Sequence, residues 1–200
     1  MSSPRLGVSA VNSGPRRTSF DPPAYGYNVD MIRVEHVLDS WKAVRLDTAN
    51  AVDDFPAADF DFRPAPDTMT FGEAARHILD SSDGLTGLLL AGDDNLATPD
   101  FREKLKPHMR KLPANAGAPE LAAALRESVE QRTAALAVQP AAFWDYYITR
   151  FDGQRVTRLE MVQMIKEHEM THRAHMFLCL RMKGIVPATT RRRLAKQAGK

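Results

Sequence analysis

The chain has 200 residues, enough for one domain with a substantial core. Hydrophobic residues at 44%, charged residues at 26% and a formal net charge of +2 describe an ordinary globular protein, not a strongly basic nucleic-acid binder. No apolar run approaches the ~18–20 residues of a membrane span, the amino terminus lacks the apolar stretch of a secretory signal, and a lone Cys179 cannot form an internal disulfide; together these point to the cytoplasm.

Residues 1–28 are rich in Ser, Pro, Gly and Arg without any period and read as a disordered or loosely packed arm. Val34, Val37, Leu38, Trp41, Val44, Val52 and Phe55 then recur at helical spacing, which predicts a first amphipathic helix over about 30–54. Three prolines make 56–67 a loop. Thr70-Phe71-Gly72-Glu73 fits a capping box, so a second helix starts there and runs to about Leu90. Residues 92–118 form a long connection with a short helix near 100–111.

Pro119 suits the first turn of a third helix over about 119–138, with Leu121, Leu125, Val129 and Leu136 on its apolar face. An aromatic stretch, Phe143–Phe151, meets the turn signal Asp152-Gly153. Thr157-Arg158-Leu159-Glu160 is a second capping box, and a fourth helix runs to about Lys183 with Gly184 placed to cap it. No segment reads as a strand pair. The expected fold is all-α, a four-helix bundle with a long connection between helices 2 and 3, over residues 29–187. Residues 188–200 hold five basic side chains and read as a solvated basic tail, with nucleic-acid contact the less economical alternative.

The chemistry concentrates on the fourth helix. Met161, Ile165, His168, His172, His175, Cys179 and Met182 follow a 3–4 alternation and are expected to form one inward seam. Stacked imidazoles in a core are unfavourable unless something binds them. His168 and His172, at i and i+4, aim their rings at one place, as two ligands of one divalent metal require.

The same residues spell His168-Glu169-Met170-Thr171-His172, the H-E-x-x-H of zinc peptidases. Residues 173–200 hold no Asp or Glu for a third ligand, and His175 and Leu178 stand where the metzincin spacing needs Gly and His. A third ligand must therefore come from elsewhere: His36, His77, His108 and His175 are the candidates. Small neighbours at helical spacing, Ala74, Ser81 and Gly84, leave room beside His77 and favour it, although they also suit plain close packing. Glu169 and Asp80 could orient a ligand imidazole, but a solvated helix face is the plainer role for each. Cys179 reads as a small core residue.

Two fragments resemble the DinB/YfiT-like family of metal-binding four-helix bundles over about 31–187. One is Phe62-Arg63-Pro64 with Met69-Thr70-Phe71-Gly72-Glu73 and His77. The other is His168-Glu169-Met170-Thr171-His172-Arg173-Ala174-His175 with Leu180-Arg181 and Gly184. The sequence departs from the family's H-x-x-x-H-R-G-Q at Ala174-His175. The resemblance implies a metal triad of His77, His168 and His172, holding one divalent ion, Zn²⁺ or Ni²⁺. It also implies a small-molecule substrate and a homodimer. Relatives include thiol-dependent transferases and isomerases using mycothiol or bacillithiol, which implies a metal-dependent thiol S-transferase or isomerase acting on small electrophiles. A metal-assisted hydrolase and a non-catalytic stress-response bundle are the alternatives.

Overall fold

The computed structural model describes residues 33–199. The arm predicted over 1–28 lies outside the described residues. Seven helices and one hairpin follow in chain order: α1 (Val34–Asp54), α2 (Phe71–Ala91), α3 (Phe101–Leu105), α4 (Ala118–Ala137), α5 (Ala141–Trp144), β1 (Tyr147–Thr149), β2 (Arg155–Thr157), α6 (Arg158–Met182) and α7 (Ala188–Ala198). The four long ones, α1, α2, α4 and α6, form the bundle, with α1 packed on α4 and α6, and α2 packed on the same two.

Both helices that carry the histidine motifs begin at capping boxes. Thr70 accepts from the Glu73 amide at 3.1 Å while Glu73 accepts from the Thr70 amide at 2.7 Å, and Thr157 and Glu160 repeat this at 3.2 and 2.6 Å. Each box satisfies amides that the first turn leaves without intrahelical partners. At the far ends, Gly92 and Gly184 adopt φ of 88° and 74°, and the amides of Asp93 and Ile185 close onto the carbonyls of Leu88 and Leu180. Only glycine takes this left-handed turn without penalty, so both helices stop where the chain must reverse.

The core falls into two apolar layers. Phe55 and Phe71 stack at 3.7 Å between centroids at one end, with Ile78, Leu79, Leu125 and Leu180 below them. Trp41, Leu88, Leu89, Leu136, Met161 and Ile165 fill the other end. Arg63 lies beside Glu73 at 3.2 Å and the Phe71 amide donates to the Phe62 carbonyl, so the Phe62-Arg63-Pro64 segment ties down the start of α2.

Three expectations need correction. A strand pair exists: β1 and β2 pair antiparallel, with Ile148 opposite Val156, and Gly153 turns the chain at φ 83°. The last residue of β2, Thr157, is also the N-cap of α6, so the hairpin leads directly into that helix. The basic segment 188–200 is not simply a solvated tail. Pro187 ends one run and opens α7, which docks on α1 through Arg191–Asp54 and Arg192–Asp47 pairs at 2.8 and 2.6 Å. Finally, Met182 is 53% exposed. The buried stripe of α6 is Met161, Val162, Ile165, Glu169, Met176, Cys179 and Leu180, so the histidines stand at its edge.

Candidate metal centre

His77 stands on α2 two turns after its cap, and His168 and His172 project from α6 on consecutive turns. Their rings meet edge to face. Centroids are 5.0 Å apart for His77–His168, 4.7 Å for His77–His172 and 4.5 Å for His168–His172, with planes inclined at 68°, 78° and 73°. The Nε2 atoms of His77 and His168 lie 3.2 Å apart, and those of His172 and His168 3.1 Å. One ligand atom from each of the three falls within 4.8 Å of the others, the one such cluster of His, Cys, Asp or Glu among the described residues.

That spacing suits an ion. Zn–N bonds of about 2.0–2.1 Å at tetrahedral angles separate two ligand nitrogens by about 3.3 Å. Three lone-pair nitrogens pointed at one spot repel one another, and a cation between them removes the conflict. All three rings are half-buried. Burial lowers the pKa of His77. Burial and then His77 lower that of His168. His172 is pushed down to about 4 by burial and by His168, His77 and His175. The rings are therefore neutral at neutral pH, the state in which imidazole binds metal.

The remaining histidines lie apart from this cluster. His36 meets Arg33 at the exposed start of α1. His108 sits against Gly87 of α2, and its carbonyl accepts from Arg132 at 2.7 Å. His175 is half-buried one turn beyond His172, and its Nε2 has no hydrogen-bond partner among the described residues.

Glu169 is not on a solvated face. Its side chain is 1% exposed and accepts from Trp41 Nε1, Arg45 Nε and Thr48 Oγ1, each at 2.8 Å. Arg45 in turn donates to Ser82 Oγ at 2.8 Å. All three donors to the carboxylate come from α1. The glutamate of the H-E-x-x-H string is thus spent on holding α6 against α1, which removes it as a general base. Arg173 adds to this seam through the Val44 carbonyl at 3.3 Å and Asp47 at 3.7 Å. Polar Arg45 and Thr48 on the otherwise apolar face of the first helix are the sequence signal that could have located these partners.

The cluster opens onto a cavity of about 870 Å³. His77, His168, Asp80 and Ser81 of the bundle and the charged Arg102, Glu103 and Lys106 of the 101–108 segment form its polar lining, and Leu85, Leu105, Met109, Met164 and the Phe101–Phe151 pair its apolar lining. Burial raises the pKa of Asp80, which faces this space instead of bulk solvent. The small residues around His77 divide in role. Ser81 lines the cavity, Ala74 is core, and Gly84 lets Leu105 of α3 come close, since a Cβ there would meet Leu105 Cδ2 at 2.9 Å. Cys179 is wholly buried and lies outside the site.

Residues 40–176 match the sequence model of the DinB superfamily. A search of curated proteins finds no match. Among solved structures, a DinB-like protein from Bacillus subtilis superposes with a TM-score of 0.59 at 19% identity, covering 74% of this chain and 92% of that one. YfiT from Bacillus subtilis, described as a probable metal-dependent hydrolase with an unusual four-helix bundle topology, gives 0.59 at 16% identity, covering 78% and 92%. A mycothiol-dependent maleylpyruvate isomerase gives 0.55 at 13% identity, covering 72% of this chain and 60% of that one. At these identities the likeness establishes the fold.

Proposed function

The chain belongs to the DinB superfamily, and from that premise we propose that it is a metal-dependent enzyme acting on small molecules, with His77, His168 and His172 holding one divalent ion, Zn²⁺ or Ni²⁺. The observation that carries this reading is the convergence of three neutral imidazoles, with His168 Nε2 3.2 and 3.1 Å from the Nε2 atoms of His77 and His172, beside an 870 Å³ cavity that His77 and His168 line. Three neutral ligands leave a divalent charge uncompensated, and when bound such an ion acidifies a coordinated thiol or water and polarises a carbonyl.

Among the finer readings, transfer or isomerisation dependent on a low-molecular-weight thiol comes first. The carboxylate of the H-E-x-x-H string, Glu169, is committed to Trp41, Arg45 and Thr48, and chemistry on a thiol that a bound ion would acidify makes no demand on it as a base. The apolar side of the cavity suits the body of a small electrophile. A second reading, metal-assisted hydrolysis, is favoured by Asp80, a half-buried carboxyl facing the same cavity and suited to take a proton from water. YfiT, a probable metal-dependent hydrolase, gives that reading a structural neighbour.

Elemental analysis of purified protein tests the centre, with one equivalent of metal expected and its loss on His168→Ala. Turnover then separates the readings. Thiol-dependent conversion of an electrophile supports the first, and thiol-independent ester or amide cleavage that is lost in Asp80→Asn supports the second. Protein with no stoichiometric metal would sink both.

A further inference from the structure

The charged side chains of the large cavity come from a different part of the fold than the histidines. Gly84 and Gly87 let the 101–108 segment lie close on α2. That segment brings Arg102, Glu103 and Lys106 into the lining, beside Phe101 and Leu105. The space they border is about 870 Å³, within the roughly 300–1,000 Å³ of small-molecule sites and far more than an ion and its waters fill.

The three charges are not equivalent. Lys106 holds the Glu103 carboxylate at 2.6 Å, so these two offset each other. Arg102 is exposed and has neither an ion pair nor a hydrogen bond among the described residues. The remaining acid, Asp80, stands on α2 one turn from His77, at the histidine end of the lining. The cavity therefore offers two polar attachment points from separate elements, the imidazoles of α2 and α6 and the guanidinium of α3. Leu85, Leu105, Met109 and Met164 supply apolar walls in the same space.

We infer that Arg102 anchors a carboxylate, and that the ligands of this cavity are small carboxylic acids with an apolar body. A guanidinium presents a planar fork of donors that matches a carboxylate in two parallel hydrogen bonds, and it stays charged at every working pH. The apolar walls suit an alkyl or aryl body. Only the other end of the ligand rests on the proposed metal centre, where a bound ion would meet a thiol or a carbonyl. The carboxylate belongs to the electrophile or to the thiol, and its chemistry at Arg102 is the same in both cases.

Isothermal titration calorimetry of the full chain tests this. Metal-free protein is titrated with octanoate and with octylamine, one chain length with opposite charges. Octanoate should bind about tenfold tighter or more, and Arg102→Gln should remove the difference. Lys104→Gln takes the same charge from the same helix at a residue outside the lining, one that pairs with Asp93, and should keep the difference. Octanoate bound equally by parent and Arg102→Gln, or a preference lost equally in Lys104→Gln, would overturn the assignment whatever the metal content. Zinc-loaded protein is then titrated with mercaptohexanol, whose binding Arg102→Gln should leave unchanged. If zinc does not tighten that binding, the metal centre fails, and the octanoate result still decides Arg102. Octanoate added to the mercaptohexanol complex locates the carboxylate. Joint binding puts it on the electrophile; mutual exclusion, with mercaptohexanoate tighter than mercaptohexanol, puts it on the thiol.

Discussion

The Arg45 guanidinium donates to the Glu169 carboxylate across 2.8 Å, with the two side chains 0% and 1% exposed. This buried pair joins α1 to α6 one residue away from His168. It fixes the rotation of α6, and with it the direction of both histidines on that helix.

Removing one member of such a pair strands the other charge in the core. Glu169→Ala also orphans Trp41 Nε1 and Thr48 Oγ1. Stability should fall by about 3–5 kcal/mol, measured by urea unfolding of the metal-free protein. The paired change Arg45→Met with Glu169→Leu should recover the part of that loss due to the stranded charge, while Trp41 Nε1 and Thr48 Oγ1 stay without their acceptor. A loss below about 1 kcal/mol for Glu169→Ala would place the carboxylate elsewhere in solution.

Metal content should separate the histidines into two groups. Alanine at His77, His168 or His172 is expected to reduce bound metal from one equivalent to a small fraction. Alanine at His36 or His108 should leave it unchanged, since neither belongs to the cluster. His175→Ala should also retain the ion. Inductively coupled plasma measurements on the six variants decide this, and retention in His77→Ala would break the clamp between α2 and α6.

Acid should weaken the metal-free fold through the same side chains. Folding depresses the three imidazoles below the ordinary value near 6.5, His172 to about 4. Above 6.5 both folded and unfolded chains carry them neutral and no difference arises. As pH falls below 6.5 the unfolded chain takes up protons first, so stability declines from there toward pH 4 and levels off below. Urea midpoints at pH 7.5, 5.5 and 4.5 should show this decline. The decline should be shallower in His172→Phe; equal slopes in parent and variant would refute the assignment.

Two glycines on one helix should respond differently to the same substitution. A Cβ at Gly87 would lie 2.3 Å from His108 Cβ, an atom fixed by its backbone. At Gly84 it would meet Leu105 Cδ2 at 2.9 Å, the far end of a flexible side chain. Gly87→Ala should therefore destabilise by about 1–3 kcal/mol and displace the cavity wall at 101–108. Gly84→Ala should stay within about 1 kcal/mol. Thermal melts compare the two, and equal effects would show that the wall yields freely.

Much of this was legible because it is written in local spacing. The capping boxes at Thr70 and Thr157 appear as four-residue strings, and the i, i+4 histidines declare a shared direction. The partner of that pair, His77, could be placed only by its small neighbours and by family resemblance. Other features escaped for physical reasons. Strands of three residues, Tyr147–Thr149 and Arg155–Thr157, are too short to show alternation. Glu169 lies at the spacing of the buried stripe Ile165, Met176 and Leu180, but a lone carboxylate reads as solvated until its partners Trp41, Arg45 and Thr48 on α1 are seen. In α7 the five basic residues of 188–200 mask a short helix, whose docking depends on Asp47 and Asp54 of α1.

His77 and His168 are separated by 91 residues of chain. An ion shared between them ties α2 to α6 and closes a loop that contains α3, α4 and the hairpin. An ion held only by the folded chain stabilises it by mass action, by about 2.7 kcal/mol when free metal stands at a hundred times its Kd. If the proposed ion binds there, the centre would also act as a reversible staple, and the stability of the folded chain would then follow how much metal its surroundings supply.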